Sequence, residues 1–186
     1  MQPYSELANA LEQSSAGFIL PLQEAVEAHG RYHAVCRDAE GNIKWEDDIE
    51  NLVTTVGKNF ALDTVFAGSA YTAAWFMGLV DGASAPSYAA ADTMASHAGW
   101  TESVVYSNAT RPAPAFSAAA TGTKATSTGV VFTINATGTI AGAFMNTVST
   151  KSGTTGTLYS AGSFTGGNKT VANGDSLTIT YSATLT

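Results

Sequence analysis

Charged side chains make up only 12% of this chain, about half the usual share, and Cys36 is its one cysteine. A single thiol excludes an intramolecular disulfide framework and fits assembly in a reducing cytoplasm. The longest apolar stretch, Ala70 to Val80, is broken by Thr72 and Gly78 and falls far short of the roughly 20 residues a membrane-spanning helix needs. No membrane partner is expected. The opening MQPYSELANALEQSS is polar and acidic, without the basic region and apolar core of a signal peptide. A basic stripe is missing too: residues 1–60 hold ten Asp/Glu against four Lys/Arg, and residues 61–186 hold five against four. Phosphate contacts need clustered lysine and arginine, so no nucleic-acid partner is expected.

The constellations of catalysis are equally scarce. His29, His33 and Cys36 are close in sequence, but on a strand His33 and Cys36 point to opposite faces, and His29 lies about 13 Å from His33 at roughly 3.3 Å per residue. Surface imidazoles and a buried thiol account for them. Asp38, Glu40 and Asn42, with Glu46, Asp47, Asp48 and Glu50, supply oxygens without the glycine and bidentate glutamate spacing of a calcium loop. They read as a solvated turn and an acidic protein-binding edge. Gly162-Ser-Phe-Thr-Gly166 is offset from the nucleophile elbow of hydrolases, and Gly166-Gly167 lacks the Lys-Ser/Thr of a phosphate loop. His97 beside Asp92 reads as a histidine packed on Trp100 or bonded to a backbone carbonyl. The expectation is a protein that is not an enzyme and has no cofactor and no metal site.

What the chain has in abundance is threonine, serine, alanine and glycine, within 186 residues that are 45% hydrophobic. That length suffices for one domain with an arm. Residues 1–30 read as the arm: Ser5 caps a short helix through Gln13, Gly17 stops it, and Pro21 opens a second helix bearing Leu22, Ala25 and Val26. Neither is long enough to stand alone, so the segment needs a surface to lie on, either its own β domain or a neighbouring subunit; it reads as an attachment arm, with an ordinary domain flap as the alternative.

Residues 31–186 read as a mainly β body, a sandwich or jelly roll with one packed helix and a Thr/Gly-rich β part from about residue 112. Arg31–Arg37 alternates as a strand, turns at Asp38–Gly41 and returns over Asn42–Trp45, with the acidic run Glu46–Glu50 ending the hairpin. Val56, Phe60, Leu62, Val65 and Phe66 form a helical stripe expected to lie on the sheet. Tyr71–Val80 reads as a central strand with Trp75 in the core, Asp92 as the cap of a helical turn over Thr93–His97, and Trp100–Tyr106 as a further strand. Later β runs fall at 129–135, 139–148, 156–160 and 176–185, and Asn173-Gly174 is the strongest two-residue hairpin signal.

The blocks GRYHAVCRDAEGNIKWEDDIENLVTTVGKN, AYTAAWFMGLVDG, ADTMASHAGWTE and GTLYSAGSFTGGNKTVANGDSLTITYSATL resemble those of a family of small tailed-bacteriophage virion structural proteins, over residues 30 to 186. The resemblance implies a protein made in the host cytoplasm and carried on the virion. A capsid decoration or cement protein on the capsid exterior, binding the major capsid protein and itself as a homotrimer, is the leading expectation; a small tail fibre or baseplate protein is the alternative. Low charge leaves aromatic and apolar groups to make such contacts. The candidates are Tyr32, Trp45, Tyr88 and Trp100.

Overall fold

The computed structural model describes residues 27–66 and 75–185. Among these, ten strands and one helix follow in the order β1 (Ala28–Arg37), β2 (Ile43–Val53), α1 (Thr55–Phe66), β3 (Phe76–Asp81), β4 (Glu102–Ser103), β5 (Thr123–Ala125), β6 (Val130–Thr133), β7 (Gly138–Asn146), β8 (Leu158–Phe164), β9 (Lys169–Val171) and β10 (Ser176–Leu185). The helices expected before residue 27, and the Tyr71–Ala74 start of the expected central strand, lie outside the described residues. β1 begins at Ala28, inside the stretch assigned to the arm.

Every strand pairing is antiparallel. The sheet runs β4-β3-β7-β8-β2-β1-β10-β5, with β6 beside β10 and β9 beside β7. Met145 of β7, Tyr159 of β8 and Tyr181 of β10 line one groove although two strands separate β8 from β10. The sheet therefore curls around its own apolar face, which gives the mainly β, sandwich-like body that the alternating sequence implies.

The first hairpin shows how charge is tolerated in this sheet. Asp38 shapes the turn: its Oδ1 accepts from the amides of Glu40 and Asn42 at 3.1 and 2.8 Å, and Gly41 takes φ +89°. The acidic run does not end the hairpin, because β2 continues to Val53. Pairing places Glu50, Asp48 and Glu46 opposite Arg31, His33 and Val35, while Ile49 sits opposite Tyr32 in the core. Alternate residues of a strand face opposite ways, so three of the acids stand on the outer face.

Asn173-Gly174 forms a turn but no hairpin. β9 pairs with β7, and β10 pairs with β1, β5 and β6. Among residues 172–175 only Gly174 has positive φ, at 93°, and the Asp175 amide donates to Ala172 O at 3.0 Å. One left-handed residue at the third position makes a type II turn, not the doubly left-handed type that joins paired strands.

Two apolar clusters fill the body. The larger takes Tyr32, Ile49, Leu79, Phe132, Met145 and Ile179 among others. The smaller lies on the other face of β3, β7 and β8, where Val80, Phe144, Leu158 and Ala161 pack against Met94 and Trp100. β3 and β7 are thus buried on both faces, as continuous apolar runs require. Gly78 lies opposite Phe144; a Cβ on Gly78 would stand 2.2 Å from that ring, so the phenyl group occupies the space a side chain would take.

The expected strand over Trp100–Tyr106 reduces to Glu102–Ser103, with Tyr106 held by one bridge to Ile134. Thr93–His97 is no helical turn. Thr93 bridges Ser96 instead, and Asp92 Oδ2 accepts from the Ala89 amide and the Trp100 indole, both at 3.1 Å.

The helix forms where its periodicity places it, yet its stripe does not lie on the sheet. Thr54 caps it, accepting from the Gly57 amide at 3.1 Å. Gly57 is its buried residue, and a Cβ there would meet Tyr159 O at 2.5 Å. The first turn therefore docks closely on β8. Leu62, Val65 and Phe66 are 54%, 72% and 81% exposed. Trp75 is half-buried at the edge of the main core, edge-on to Phe60 at 5.5 Å and Tyr159 at 5.3 Å.

Candidate functional site

The four aromatic candidates occupy three separate places. Tyr32 is fully buried, its hydroxyl 2.7 Å from Ser160 Oγ and its ring 4.5 Å from that of Tyr181. Trp100 is 3% exposed, stacked on His97 at 4.0 Å and tilted against Phe144 at 5.1 Å. Both are core residues, with no surface to offer a partner. Trp45 and Tyr88 are half-buried. The Trp45 indole donates to Thr170 O at 3.0 Å and its ring meets Phe164 edge-on; Tyr88 bonds Ser163 Oγ at 2.9 Å and covers Trp100. The four share no face. His97 does both things its sequence context suggests: it stacks on Trp100, and its Nδ1 lies 3.0 Å from Trp100 O.

The ionisable groups of the first hairpin are mostly engaged with one another. Arg31 Nη2 contacts Asp48 Oδ2 at 2.5 Å, and His33 Nδ1 lies 3.1 Å from Asp48 Oδ1. The Arg31 guanidinium, with some opposition from burial, holds the Asp48 carboxyl below the usual carboxylate range. Asp47 points inward to Lys169 at 2.7 Å and accepts from the Thr165 hydroxyl and the Gly166 amide. Burial alone would raise its pKa; Lys169, Thr165 and the backbone amides outweigh that and lower it.

Folded-state values below the unfolded one mean stability that is complete above about pH 4 and lost as pH falls through the folded values. The urea midpoint is accordingly expected to drop between pH 5 and pH 3, and Asp47→Asn to flatten that slope while starting from a lower midpoint. A wild-type midpoint that stays level over this range would contradict the assignment.

Cys36 is buried beside Asp175, to which its thiol donates at 3.7 Å, and Asp175 also takes Lys44 Nζ at 2.5 Å. Burial, reinforced by the Asp175 charge, pushes the Cys36 thiol up to about 12. A thiol that ionises near 8.5 when unfolded then lowers stability as pH rises above that value. Cys36 is expected to react with an aromatic disulfide reagent at pH 8 only after denaturant is added. Rapid modification of native protein would show the strand pair β1–β10 to be open.

A second set of groups was not legible in sequence. Arg111, fully buried, donates through Nε and Nη2 to the two oxygens of Glu102 at 2.9 and 2.7 Å, and to the carbonyls of Val148 and Gly153. Glu102 Oε2 also accepts from the Ser152 amide at 2.6 Å. Lys151 completes the tie by donating to the carbonyls of Tyr106 and Asn108, each at 2.9 Å. The cluster clamps the 147–156 connection to the 102–111 segment. All its charges face protein partners. Among the described residues, no group of three or more His, Cys, Asp or Glu is placed to hold a metal ion.

Among the described residues, an apolar surface also faces outward. Leu62, Val65 and Phe66 stand at helical spacing on the far half of α1. Beside them, Thr64, Trp75, Phe116, Tyr159, Tyr181 and Ala183 border a groove of about 340 Å³. Periodicity identified the helix; it could not say which way the stripe turns. Phe116, in the Pro-Ala-Pro-Ala-Phe stretch, gave no sequence signal. No protein-family model matches the chain, and no curated protein is similar to it.

Proposed function

We propose that the chain is a non-enzymatic virion structural protein, a capsid decoration or cement protein that binds the assembled major capsid lattice and stabilises the head. The observation that carries this reading is the apolar face Leu62/Val65/Phe66, more than half exposed on every member, in a chain with few charges to solvate its surface. Exposed contiguous apolar groups mark protein contacts, and aromatic anchors within them carry most of the binding free energy. The outer faces of β1 and β2 carry Glu46, Asp48 and Glu50 alongside Arg31 and His33, a separate polar surface of mixed sign. A ligand that binds the lattice but not its separated subunits stabilises the lattice by mass action.

The test is co-sedimentation of the purified chain with heads that lack it, followed by heating. Binding that saturates over the head, with a raised temperature of head rupture, is the expected result, and Phe66→Asp is expected to abolish it without changing the melt of the free protein. Binding confined to tails would replace this reading with that of a small tail fibre or baseplate protein.

A further inference from the structure

We infer that Asn173 is a self-modifying site, converted to aspartate and isoaspartate by the backbone nitrogen of Gly174, and that the fold gates the reaction by holding that nitrogen on Ile134. Asn173-Gly174 is the one Asn-Gly pair in the sequence. Asparagine is thermolabile, and its side-chain carbonyl is attacked most readily by the nitrogen of a following glycine, which no Cβ shields. In the step, Gly174 N bonds to Asn173 Cγ, the Cγ–Nδ2 bond breaks, and the side-chain nitrogen leaves as ammonia with the proton that Gly174 N gives up. Water then opens the resulting imide at either of its two C–N bonds. One opening restores the backbone with aspartate at 173; the other leaves isoaspartate, with an extra methylene in the main chain. Nothing is oxidised or reduced, and water is the only co-reactant.

The attacking nitrogen is tied down on both sides. Gly174 N donates to Ile134 O at 3.0 Å and Ile134 N donates to Asp175 O at 2.9 Å, so two bonds fasten the turn to the residue that follows β6. Within the turn, the Asp175 amide donates to Ala172 O at 3.0 Å and the Ala172 amide to Asp175 Oδ2 at 2.7 Å. Gly174 N cannot swing onto Asn173 Cγ while it points at Ile134, so conversion waits for local opening of this end of the β6–β10 pair. Asn173 itself is exposed, which puts the control on the backbone and not on access of water. The product acts back on the same bonds. Either opening adds a carboxylate to a turn that already holds Asp175 and stands against the Asp38–Gly41 turn, where a Cβ on Gly174 would lie 3.4 Å from that of Ala39. Isoaspartate also lengthens the main chain, so the Ile134 bonds and the Ala172–Asp175 bond no longer fit together. Conversion is therefore slow in the closed turn and destabilising once made. The inference stands apart from the virion reading and is tested on the purified chain alone.

The experiment incubates the full chain at pH 8 in buffer, in urea below the unfolding midpoint and in urea above it, and follows residue 173 by peptide mapping with a fragmentation that tells aspartate from isoaspartate. Above the midpoint Asn173 is expected to convert before every other asparagine, and in buffer at least about tenfold more slowly than above the midpoint. Between these limits its rate is expected to rise in step with hydrogen exchange of the Gly174 amide. The separated isoaspartyl form is expected to unfold at a lower urea concentration than the unmodified chain. An unfolded chain that leaves Asn173 intact, or converts another asparagine first, would overturn the site. Conversion in buffer at the rate of the unfolded chain, a rate that does not follow Gly174 exchange, or an isoaspartyl form as stable as the unmodified chain would overturn the gate.

Discussion

Arg111→Met is expected to destabilise the protein by about 3–5 kcal/mol, because it leaves the Glu102 carboxylate inside the fold without its cation. Glu102 is 6% exposed and Arg111 not at all. Two donors to Glu102 disappear with the guanidinium, and the carbonyls of Val148 and Gly153 lose theirs. Arg111 also covers the Phe144 ring at 5.0 Å, a contact methionine partly keeps. The double variant Arg111→Met/Glu102→Gln is expected to recover part of the loss, since an amide in the glutamate's place needs no counter-ion. Urea unfolding of the two variants beside the wild type measures this. A single variant within about 1 kcal/mol of wild type would mean that water reaches Glu102 and that the pair is worth only what surface pairs are worth.

Phe144→Ala is the second large effect, at about 3–5 kcal/mol. The ring fills the space over Gly78, packs on Trp100 and supports Arg111. Its removal leaves a cavity that Gly78, without a side chain, cannot close. Adding Gly78→Ala to Phe144→Ala is therefore expected to be less costly than the sum of the two single changes, because the ring that obstructs a Cβ at 78 is gone. Thermal melts of all four members of the cycle read this coupling. Strict additivity would show that ring and glycine are not in contact.

The sequence made the strand pattern legible wherever one face is wet. β1 alternates without interruption, and β10 runs from Ser176 to Leu185, the limits its alternation implied. It was less legible where tertiary partners decide. Glu46–Glu50 looked like a break because consecutive acids disfavour a buried strand, but the outer face and Lys169 accommodate them. Asn173-Gly174 has the residues of a hairpin turn, and the choice of β7 as partner for β9 is made by long-range pairing that no local signal carries. For the candidate site, aromatic identity could not separate Tyr32 and Trp100, which are core, from the half-buried Trp45 and Tyr88. Burial of an aromatic depends on strand parity and on which loop covers it. The exposed stripe of α1 escaped for a related reason: an amphipathic pattern implies a covered face, and the described residues leave that face open.

The most direct measurement is the copy number and position of the chain on intact particles, by electron cryo-microscopy with quantitative mass spectrometry. The proposed function predicts many copies distributed over the head surface in the symmetry of the capsid lattice, grouped in threes, with α1 against the shell. A few copies located at the tail, or none on the particle, would contradict it.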